Sequence, residues 1–390
     1  MSNKEKAPLV PKLRFPEFRN SAGWRPMPLG LACQMQSGKF VSASEIREQN
    51  VQGLYPCYGG NGLRGYTATF THSGKYSLIG RQGALCGNVK QSIGQFHATE
   101  HALVVTPKNG VTGDWLFFIL DLMNLNRFAT GQAQPGLSVD VLEKLPIAVP
   151  THKTEQQKIA DCLSSLDELI ATQARKADAL KTHKKGLMQQ LFPREVETQP
   201  RLRLPEFQDT AEWGVEKLGS VAKNLDNRRV PITSSDREAG DVPYYGASGI
   251  VDYVKGSIFD ENLLCISEDG ANLVARTYPI AFPITGKTWV NNHAHVLQFE
   301  NAGTQKFVEV YLNSIKLDDF ITGMAQPKLN KAMLDSIPIP RPGIPEQQRI
   351  ADCLTSLDDL IGAQTQQLEA LKSHKKGLMQ QLFPTPEIDL

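Results

Sequence analysis

The chain has 390 residues, enough for two or three domains that each bury a core of their own. Its 42 lysine and arginine residues balance 41 aspartate and glutamate residues, so the net charge of +1 gives no sign of nucleic-acid binding. The six cysteines form no CxxC pair, which argues against a zinc ribbon or a secreted disulfide scaffold. Without a membrane-length apolar run or a signal-like N-terminus, the sequence predicts a cytoplasmic protein with no membrane partner.

The first predicted element is a strand-rich globule over residues 1–150. Short apolar runs at 76–79 and 103–106 lie between Gly and Asn turns, as expected of short strands. One longer helix is predicted over 115–128, and the proline-rich segment LPIAVP then leads out of the globule. The pattern therefore predicts an α+β fold in which strands dominate.

A long helix is predicted next, over residues 151–193. Its seam positions recur at alternating spacings of four and three, the heptad pattern of a coiled coil. These positions are Ile159, Leu163, Leu166, Ile170, Gln173, Ala177, Leu180, Lys184, Leu187 and Leu191. At about 1.5 Å per residue the helix would be about 55 Å long, which favours a spacer over an ordinary core helix.

The whole order then repeats, with a second globule over 194–342, a second helix over 343–384 and a tail over 385–390. EQQKIADCLSSLDELI in the first helix returns as EQQRIADCLTSLDDLI in the second, shifted by 346 − 155 = 191 positions. The second seam consists of Ile350, Leu354, Leu357, Ile361, Gln364, Leu368, Leu371, Lys375, Leu378 and Leu382. Such self-similarity indicates an internal duplication, and a pseudo-two-fold relation between the halves would make the spacer helices antiparallel.

Glutamine and lysine occupy seam positions in both helices. Gln173 and Gln364 lie near the helix centres and are predicted to face each other, which would favour one register. Lys184 and Lys375 could act in the same way, or their ammonium groups could extend into solvent, and the sequence favours solvent.

The two globules share a frame but differ in loop chemistry. LRFPEF and YGGNG in the first correspond to LRLPEF and YGASG in the second, whereas Arg81 and Gln82 correspond to Glu268 and Asp269. A protein two-fold matches the two-fold of duplex DNA, with one domain per half-site. The sequence therefore predicts two unlike short DNA sequences that flank an unread gap, with the helices fixing the gap length.

The duplicated order of LRFPEF, Trp24, YGGNG, GQAQPGL, LPIAVP and EQQKIADCL resembles the specificity subunit of type I restriction-modification systems, over almost the whole chain. The resemblance implies two target-recognition domains that read a bipartite site in double-stranded DNA. It also implies that the spacer helices dock two modification subunits, which methylate adenine N6 using S-adenosylmethionine. Restriction subunits, ATP-dependent translocases and endonucleases that use Mg, would join them. The chain itself would be non-catalytic and would bind no cofactor, and its seam residues are the candidates for the spacer and for partner docking.

Base reading requires Arg or Lys for guanine and Asn or Gln for adenine, on loops that reach the major groove. The candidates in the first globule are Tyr58, Asn61, Arg64, Arg81, Gln82, Gln132 and Gln134. Those in the second are Tyr245, Ser248, Asn272, Arg276, Lys287 and Gln326. The alternative is that the tyrosines and the GQAQP and GMAQP turns belong to the frame of each domain.

Other chemistry has weak support in the sequence. AFPITGKT at 281–288 fits a loose P-loop pattern, but Phe282 and Pro283 replace the glycine-rich bend and a strand-like segment follows. Histidine pairs at 97 and 101 and at 293 and 295 lack a third ligand at convincing spacing, so no metal site is expected. The rival hypotheses are a coiled-coil adaptor that holds two protein-binding domains and an enzyme that uses the AFPITGKT loop.

Overall fold

The computed structural model describes residues 9–83, 85–108, 110–131, 135–194, 197–323 and 326–384. The chain divides into two units, Met1–Ala174 with Gln366–Leu390 and Arg175–Thr365. Each unit therefore holds one globule and a part of both long helices. Within the described residues, no helix combines the length and the apolar character needed to cross a bilayer.

The first globule is built on one mixed sheet. Its strands are β1 Arg25–Pro28, β2 Cys33–Ser37, β3 Tyr55–Gly59, β4 Gly62–Thr67, β5 His72–Gly80, β6 Val89–Ala98, β7 Ala102–Pro107 and β8 Pro146–Val149. Its helices are α1 Leu29–Ala32, α2 Gly113–Leu122 and α3 Val139–Glu143, and the long helix α4 Lys153–Leu191 follows. The sheet order is β2-β7-β5-β6-β3-β4, with β3 parallel to β6, and β1 pairs with β8 apart from it.

The second globule repeats this plan with shorter strands. They are β9 Gly214–Lys217, β10 Lys223–Asn224, β11 Ala239–Gly246, β12 Gly249–Val254, β13 Phe259–Asp260, β14 Leu263–Ser267, β15 Ala281–Ile284, β16 Lys287–Val290, β17 Ala294–Gln298 and β18 Pro338–Arg341. The helices are α5 Leu218–Val221, α6 Asn272–Ala275, α7 Ala302–Ser314, α8 Lys331–Ser336 and the long helix α9 Ile344–Leu382. The strands form two sheets, β10-β17-β14-β15 and β12-β11-β16-β13, besides the pair β18-β9.

The predicted α+β class, the duplication and the two long helices are confirmed. The helix predicted over 115–128 is shorter, because α2 ends at Leu122 and Asn124 adopts a left-handed φ of 48° before a 3-10 turn. In the second globule, the corresponding helix α7 ends at Ser314, and a 3-10 turn at Asp318–Phe320 follows it.

Each globule encloses the end of one long helix in its core. In the first unit, Phe383 follows α9 and its ring centroid lies 6.0 Å from that of Trp24 and 5.9 Å from that of Trp115. In the second unit, Phe192 follows α4 and lies 5.4 Å from the ring centroids of Phe307 and Tyr311. These edge-on and tilted aromatic contacts bury large apolar area at each helix end.

The start of the other helix is fixed to each globule by a buried ion pair. In the first unit, Arg14 Nε and Nη2 donate to the two carboxylate oxygens of Glu155 at 2.7 and 2.8 Å, and Trp24 Nε1 donates to Oε1 at 3.1 Å. In the second unit, Arg203 makes the same bidentate contact with Glu346 at 2.9 and 2.8 Å. A bidentate pair fixes orientation as well as distance, so it sets the direction in which each helix leaves its globule.

The long helices run antiparallel within each unit. Lys375 Nζ lies 2.6 Å from Asp167 Oδ1 in the first unit, and Lys184 Nζ lies 2.6 Å from Asp358 Oδ1 in the second. The two pairs are related by the 191-residue shift of the duplication. The expectation that these ammonium groups extend into solvent is therefore wrong, because each binds an aspartate across the helix pair.

The predicted seam matches the observed burial, since every seam position of both helices is buried or half-buried. Ile159 and Leu163 join the core of the first globule, and Ile350 and Leu354 join that of the second. Gln173 Nε2 donates to Gln367 Oε1 at 3.3 Å within the first unit. The facing of Gln173 and Gln364 stays a prediction.

Replacing Glu155 with Gln removes the charge partner of Arg14, whose side chain is only 5% exposed. We expect a loss of about 3–5 kcal/mol in the free energy of unfolding of the first unit, because an uncompensated buried guanidinium remains. Denaturant unfolding followed by fluorescence in a Trp213→Phe, Trp289→Phe background reports on this unit through Trp24 and Trp115. The double variant Arg14→Met, Glu155→Gln is the control and should recover much of the loss; an unchanged midpoint in the single variant would contradict the anchoring role.

Candidate nucleic-acid interface

Separate segments of the first globule converge around the β3–β4 hairpin tip. A Cβ on Gly60 would lie 2.7 Å from the Gln82 carbonyl oxygen, so the tip rests directly on the loop after β5. Arg81 N donates to His101 O at 2.8 Å, and Leu137 N donates to Arg81 O at 2.9 Å. We call this convergence of the 58–62, 81–82, 99–101 and 136–137 segments loop surface 1. It brings together the predicted residues Tyr58, Asn61, Arg81 and Gln82.

The side chains of loop surface 1 differ in their freedom to contact a ligand. Asn61 and Gln82 are exposed, and so is the candidate Arg64, which lies outside loop surface 1 in β4. Tyr58 is half-buried with its ring edge-on to Phe96 at 5.8 Å, which favours the frame alternative for this residue. Arg81 Nη1 donates to Ser37 Oγ at 2.8 Å, so its guanidinium is oriented and still half-exposed.

The remaining candidates of the first globule are Gln132 and Gln134, which lie outside the described residues. Sequence reasoning missed Lys90, an exposed residue of β6 whose side chain lies beside the hairpin tip, 3.5 Å from a Cβ built on Gly62. No local sequence signal marks Lys90, because it is placed there by its pairing with Leu78 of β5, whose last residue Gly80 packs against Gly60 at the tip. Its charge suits a contact with phosphate.

The second globule forms the equivalent loop surface 2 from the segments 245–248, 267–270, 291–293 and 326–329. Ser267 Oγ donates to Ala247 O at the hairpin tip. Leu329 N donates to Glu268 O at 2.7 Å, and Gly270 N donates to Pro327 O at 3.0 Å. The same backbone design therefore occurs in both halves, with different side chains on it.

Tyr245, Ser248 and Gln326 belong to loop surface 2. Ser248 and Gln326 are exposed. Tyr245 is half-buried, with its ring stacked on Phe282 at a centroid distance of 6.0 Å. Burial raises the pKa of Tyr245, and the nearby Cys265 and Tyr253 act in the same direction, so the phenol stays neutral and can donate a hydrogen bond.

The other candidates of the second globule are not placed with these loops. Asn272 uses both amide groups to close the 272–278 turn, donating to Tyr278 O and accepting from Tyr278 N, each at 3.0 Å. Arg276 has a left-handed φ of 52° and donates to Leu312 O at 3.3 Å. Lys287 opens strand β16 opposite Asp260. Structure thus favours local structural roles for Asn272 and Arg276 over base reading.

The AFPITGKT segment is not a P-loop. Ala281–Ile284 forms β15, and Lys287–Val290 forms β16 in the other sheet. A P-loop lysine precedes a helix whose N-terminus faces the phosphates. Since a strand follows instead, the nucleotide-binding alternative at this segment is wrong.

A buried charge network supports loop surface 2. His295 Nδ1 lies 2.6 Å from Asp226 Oδ2, and its Nε2 donates to Leu329 O at 2.7 Å. Arg229 Nη1 donates to Glu268 Oε2 at 2.6 Å. The side-chain ligand atoms of Asp226, Glu268 and His295 lie within 4.8 Å of one another, as in a metal site. However, both imidazole nitrogens face acceptors and Arg229 neutralises Glu268, so the arrangement is that of an ion-pair network.

This network also accounts for the acidic side chains that replace Arg81 and Gln82 in the second half. Glu268 is bound by Arg229, and Asp269 Oδ2 lies 2.8 Å from His293 Nδ1. In the first globule, His97 lies 3.0 Å from Thr69 Oγ1 and 3.0 Å from Lys39 O, so its ring is held by hydrogen bonds as well. The histidines singled out in the sequence therefore orient loops.

The family model described as "Type I restriction modification DNA specificity domain" matches residues 22–182 and again residues 210–373. The chain belongs to this family and carries its domain twice. It is 48% identical over 142 residues to the EcoprrI specificity subunit of Escherichia coli, covering 36% of this chain and 35% of that protein. It is 38% identical over 149 residues to a putative type I restriction enzyme specificity subunit of Haemophilus influenzae, covering 38% of each. Both matches thus span little more than a third of the relatives' length.

Longer matches are weaker in sequence. The putative MjaX specificity subunit of Methanocaldococcus jannaschii is 26% identical over 305 residues, which cover 74% of this chain and 71% of that protein. The crystal structure of a type I S subunit from M. genitalium aligns with a TM-score of 0.69 and 17% identity, covering 97% of this chain and all of that one. At this identity the likeness concerns the fold.

Replacing Asp226 with Asn should destabilise the second unit in a pH-dependent way. Burial by itself would raise the pKa of Asp226, but hydrogen bonding and charge from His295, with the Val296 amide and Asn224, hold the pKa below its ordinary value. The carboxylate therefore stabilises the fold above its ordinary pKa, and this contribution is lost as the pH falls through the lowered pKa.

We expect Asp226→Asn to cost about 1–3 kcal/mol at neutral pH, with a difference from the parent that shrinks in strong acid. Denaturant titrations between neutral and acidic pH measure both stabilities. The matched control is Asp252→Asn, which removes a carboxylate that is 44% exposed and is bound by Arg237, and it should change the stability little. A pH-independent cost for Asp226→Asn would contradict the charge argument.

Proposed function

We propose that this chain selects DNA for a type I restriction-modification complex and that each globule reads one half of an asymmetric bipartite target. The observation that carries the proposal is the duplicated loop surface with different side chains. Asn61 occupies the hairpin tip where Ser248 stands in the other half, and Arg81 occupies the place of Glu268. Two domains that share a backbone arrangement but carry different hydrogen-bonding side chains suit the recognition of two different base sequences.

The long helices support a fixed gap between the two half-sites. α4 and α9 each run for 39 residues without interruption, about 58 Å at 1.5 Å per residue. Within each unit, one lysine–aspartate pair and the apolar seam hold the two helices together. An unbroken helix of this kind suits a separator that fixes how many base pairs stay unread.

Partner docking requires exposed positions on these helices, since the seam residues are already packed. Leu169 is 50% exposed and Leu360 is 42% exposed. They are equivalent in the duplication, and each follows an acidic residue, Glu168 or Asp359. Exposed leucine at the same place in both helices suits two copies of one partner. We propose Leu169 and Leu360 as anchors for two methyltransferase subunits.

The chemistry belongs to the partners in this proposal. Adenine N6 methylation would use S-adenosylmethionine on the modification subunits, and DNA translocation and cleavage would use ATP and Mg on the restriction subunits. This chain would contribute binding energy and position. In the described part of the chain, the AFPITGKT segment forms β15 and β16, which agrees with placing ATP on the partners.

Methylation of the host genome tests the proposed function. Single-molecule sequencing that detects N6-methyladenine should lose one bipartite motif when this gene is deleted and regain it on complementation. Complementation with Arg81→Ala should relax base preference in one half of the motif by about 1–3 kcal/mol and leave the other half unchanged.

Ser248→Ala is the matched variant and should affect only the other half of the motif. A uniform loss across all sequences in Arg81→Ala would instead assign Arg81 to phosphate contact. An identical methylome with and without the gene would contradict the proposal if its neighbouring subunits are expressed. DNA binding insensitive to sequence would favour the adaptor hypothesis.

Docking can be tested separately from folding. We expect Leu169→Asp with Leu360→Asp to leave helix content unchanged and to lower the mass of the complex reconstituted with the methyltransferase subunits, measured by light scattering. Leu166→Asp with Leu357→Asp is the comparison, and it should reduce the thermal midpoint because half-buried seam positions receive charge. If the complex keeps its full mass when Leu169 and Leu360 are both replaced, these leucines are not the docking anchors.

A further inference from the structure

The second unit contains a cavity beside the C-terminal end of α4. It has a volume of about 910 Å³. Its walls come from the end of α4 and the residues after it, from Arg276, from the end of α7 and from α9. We call it the α4-end cavity. This size falls in the range of small-molecule and cofactor sites.

The lining of the α4-end cavity is basic around an apolar floor. The cations are Lys181, Lys184, Lys185, Arg194 and Arg276, and the apolar residues include Met188, Phe192, Ile315 and Ile361. Among the described lining residues, the carboxylate is that of Asp358, and it is already bound to Lys184 at 2.6 Å. Lys181 and Lys185 lie four residues apart on one helix face, so their charges point the same way.

Arg276 adds a guanidinium that the protein only partly compensates. Its backbone holds a left-handed φ of 52°, which is uncommon for a residue other than glycine. Nη1 donates to Leu312 O at 3.3 Å, and within the described part of the chain nothing accepts a hydrogen bond from the buried Nη2. Burial lowers the pKa of Arg276, against a weaker opposite effect of Asp318. Arg276 is thus held at this place with a buried N–H donor, Nη2, that has no acceptor among the described residues.

The duplicated half carries a different charge beside the equivalent helix end. In the first unit, the position of Asn313 is taken by Asp121, 192 residues earlier in α2. The lysine pairs themselves recur in both halves, since Lys181 lies 3.8 Å from Asp178 and its counterpart Lys372 lies 2.8 Å from Glu369. Asp121 therefore gives the first half one carboxylate at this place that the second half lacks.

We propose that the α4-end cavity binds a phosphate group, independently of base sequence and apart from loop surface 2. Phosphate suits the lining because Arg and Lys donors form charge-assisted hydrogen bonds to its oxygens. The apolar floor can accept the sugar or base attached to it. The phosphate could come from the DNA backbone or from a small nucleotide, and the chemistry is the same. The proposal does not depend on base reading by the loops.

Titration of the full chain at low salt with inorganic pyrophosphate and with duplex DNA that lacks the target tests the proposal. We expect Lys185→Gln and Arg276→Gln to weaken binding about tenfold, as for the loss of one charge-assisted contact. Lys376→Gln is the matched control, because Lys376 is the counterpart of Lys185 in the first unit, and it should bind as the parent does. Arg276→Lys should retain most of the affinity.

The probes distinguish the two sources of phosphate. Pyrophosphate binding that depends on Lys185 supports a small nucleotide ligand, whereas an effect of Lys185→Gln on duplex binding alone supports the DNA backbone. An equal loss in Lys376→Gln, or no binding of either probe, would overturn the proposal. So would weaker methyltransferase binding in Lys185→Gln with phosphate binding intact, since the cavity would then accept an acidic partner segment. The thermal midpoint of each variant verifies that it is folded. If Arg276→Gln is unfolded, Lys185→Gln alone tests the proposal, because Lys185 is exposed.

Discussion

The architecture depends on one buried ion pair in each half. The pair joins an arginine near the start of the globule to the first glutamate of the long helix that leaves it. Arg14 reaches the Ser21 and Ala22 carbonyls as well as Glu155, so one guanidinium joins the N-terminal segment, the Trp24 strand region and the start of α4. Arg203 does the same with Thr210, Ala211 and Glu346. A buried charge is tolerated only with its hydrogen bonds satisfied, so these groups must be placed together. The direction of each helix follows from that requirement.

The neighbouring glutamine completes the junction. Gln156 accepts from Thr112 N at 2.8 Å and donates to Gly110 O and Pro150 O. Gln347 accepts from Thr304 Oγ1 at 2.8 Å and donates to Pro342 O. In both halves, the EQQ triplet thus connects the start of the long helix to the start of α2 or α7 and to the residues after β8 or β18. Its repetition in the sequence reflects this shared geometry.

Because each globule is firmly attached to the long helices, its loops can carry different side chains without loss of the fold. In the first globule the loops meet through backbone hydrogen bonds around Arg81, whose side chain is held by Ser37. In the second, buried His295, Asp226 and Glu268 hold loops of the same backbone design. The same support is therefore reached with different side chains, which agrees with the proposal that the two domains read different sequences. The two halves also differ beside the α4-end cavity, where Asn313 stands at the position that Asp121 takes in the first half.

The sequence by itself determined the elements that depend on local pattern. The heptad spacing gave both helices and their buried seams, and the 191-residue shift gave the duplication, because periodicity and self-similarity are readable without knowing any long-range contact. The strand-rich globules followed from short apolar runs between Gly and Asn turns. The rejection of a P-loop followed from Phe282 and Pro283 in place of a glycine-rich bend. Tyr58, Asn61, Arg81 and Gln82 were chosen from loop chemistry, and the structure brings them together, while base reading by them stays a prediction.

Only the tertiary structure decided the roles that depend on partners distant in sequence. Lys184 and Lys375 bind aspartates 174 and 208 residues away, so no local rule distinguished pairing from exposure in solvent. The side-chain amide of Asn272 closes its own turn, and Lys90 lies at the hairpin tip because it pairs with Leu78 of β5, whose last residue Gly80 packs against Gly60. Side-chain burial and hydrogen-bond partners are set by the packing of separate segments. The sequence therefore specified the framework, and the fold decided which polar groups remain exposed on the loop surfaces.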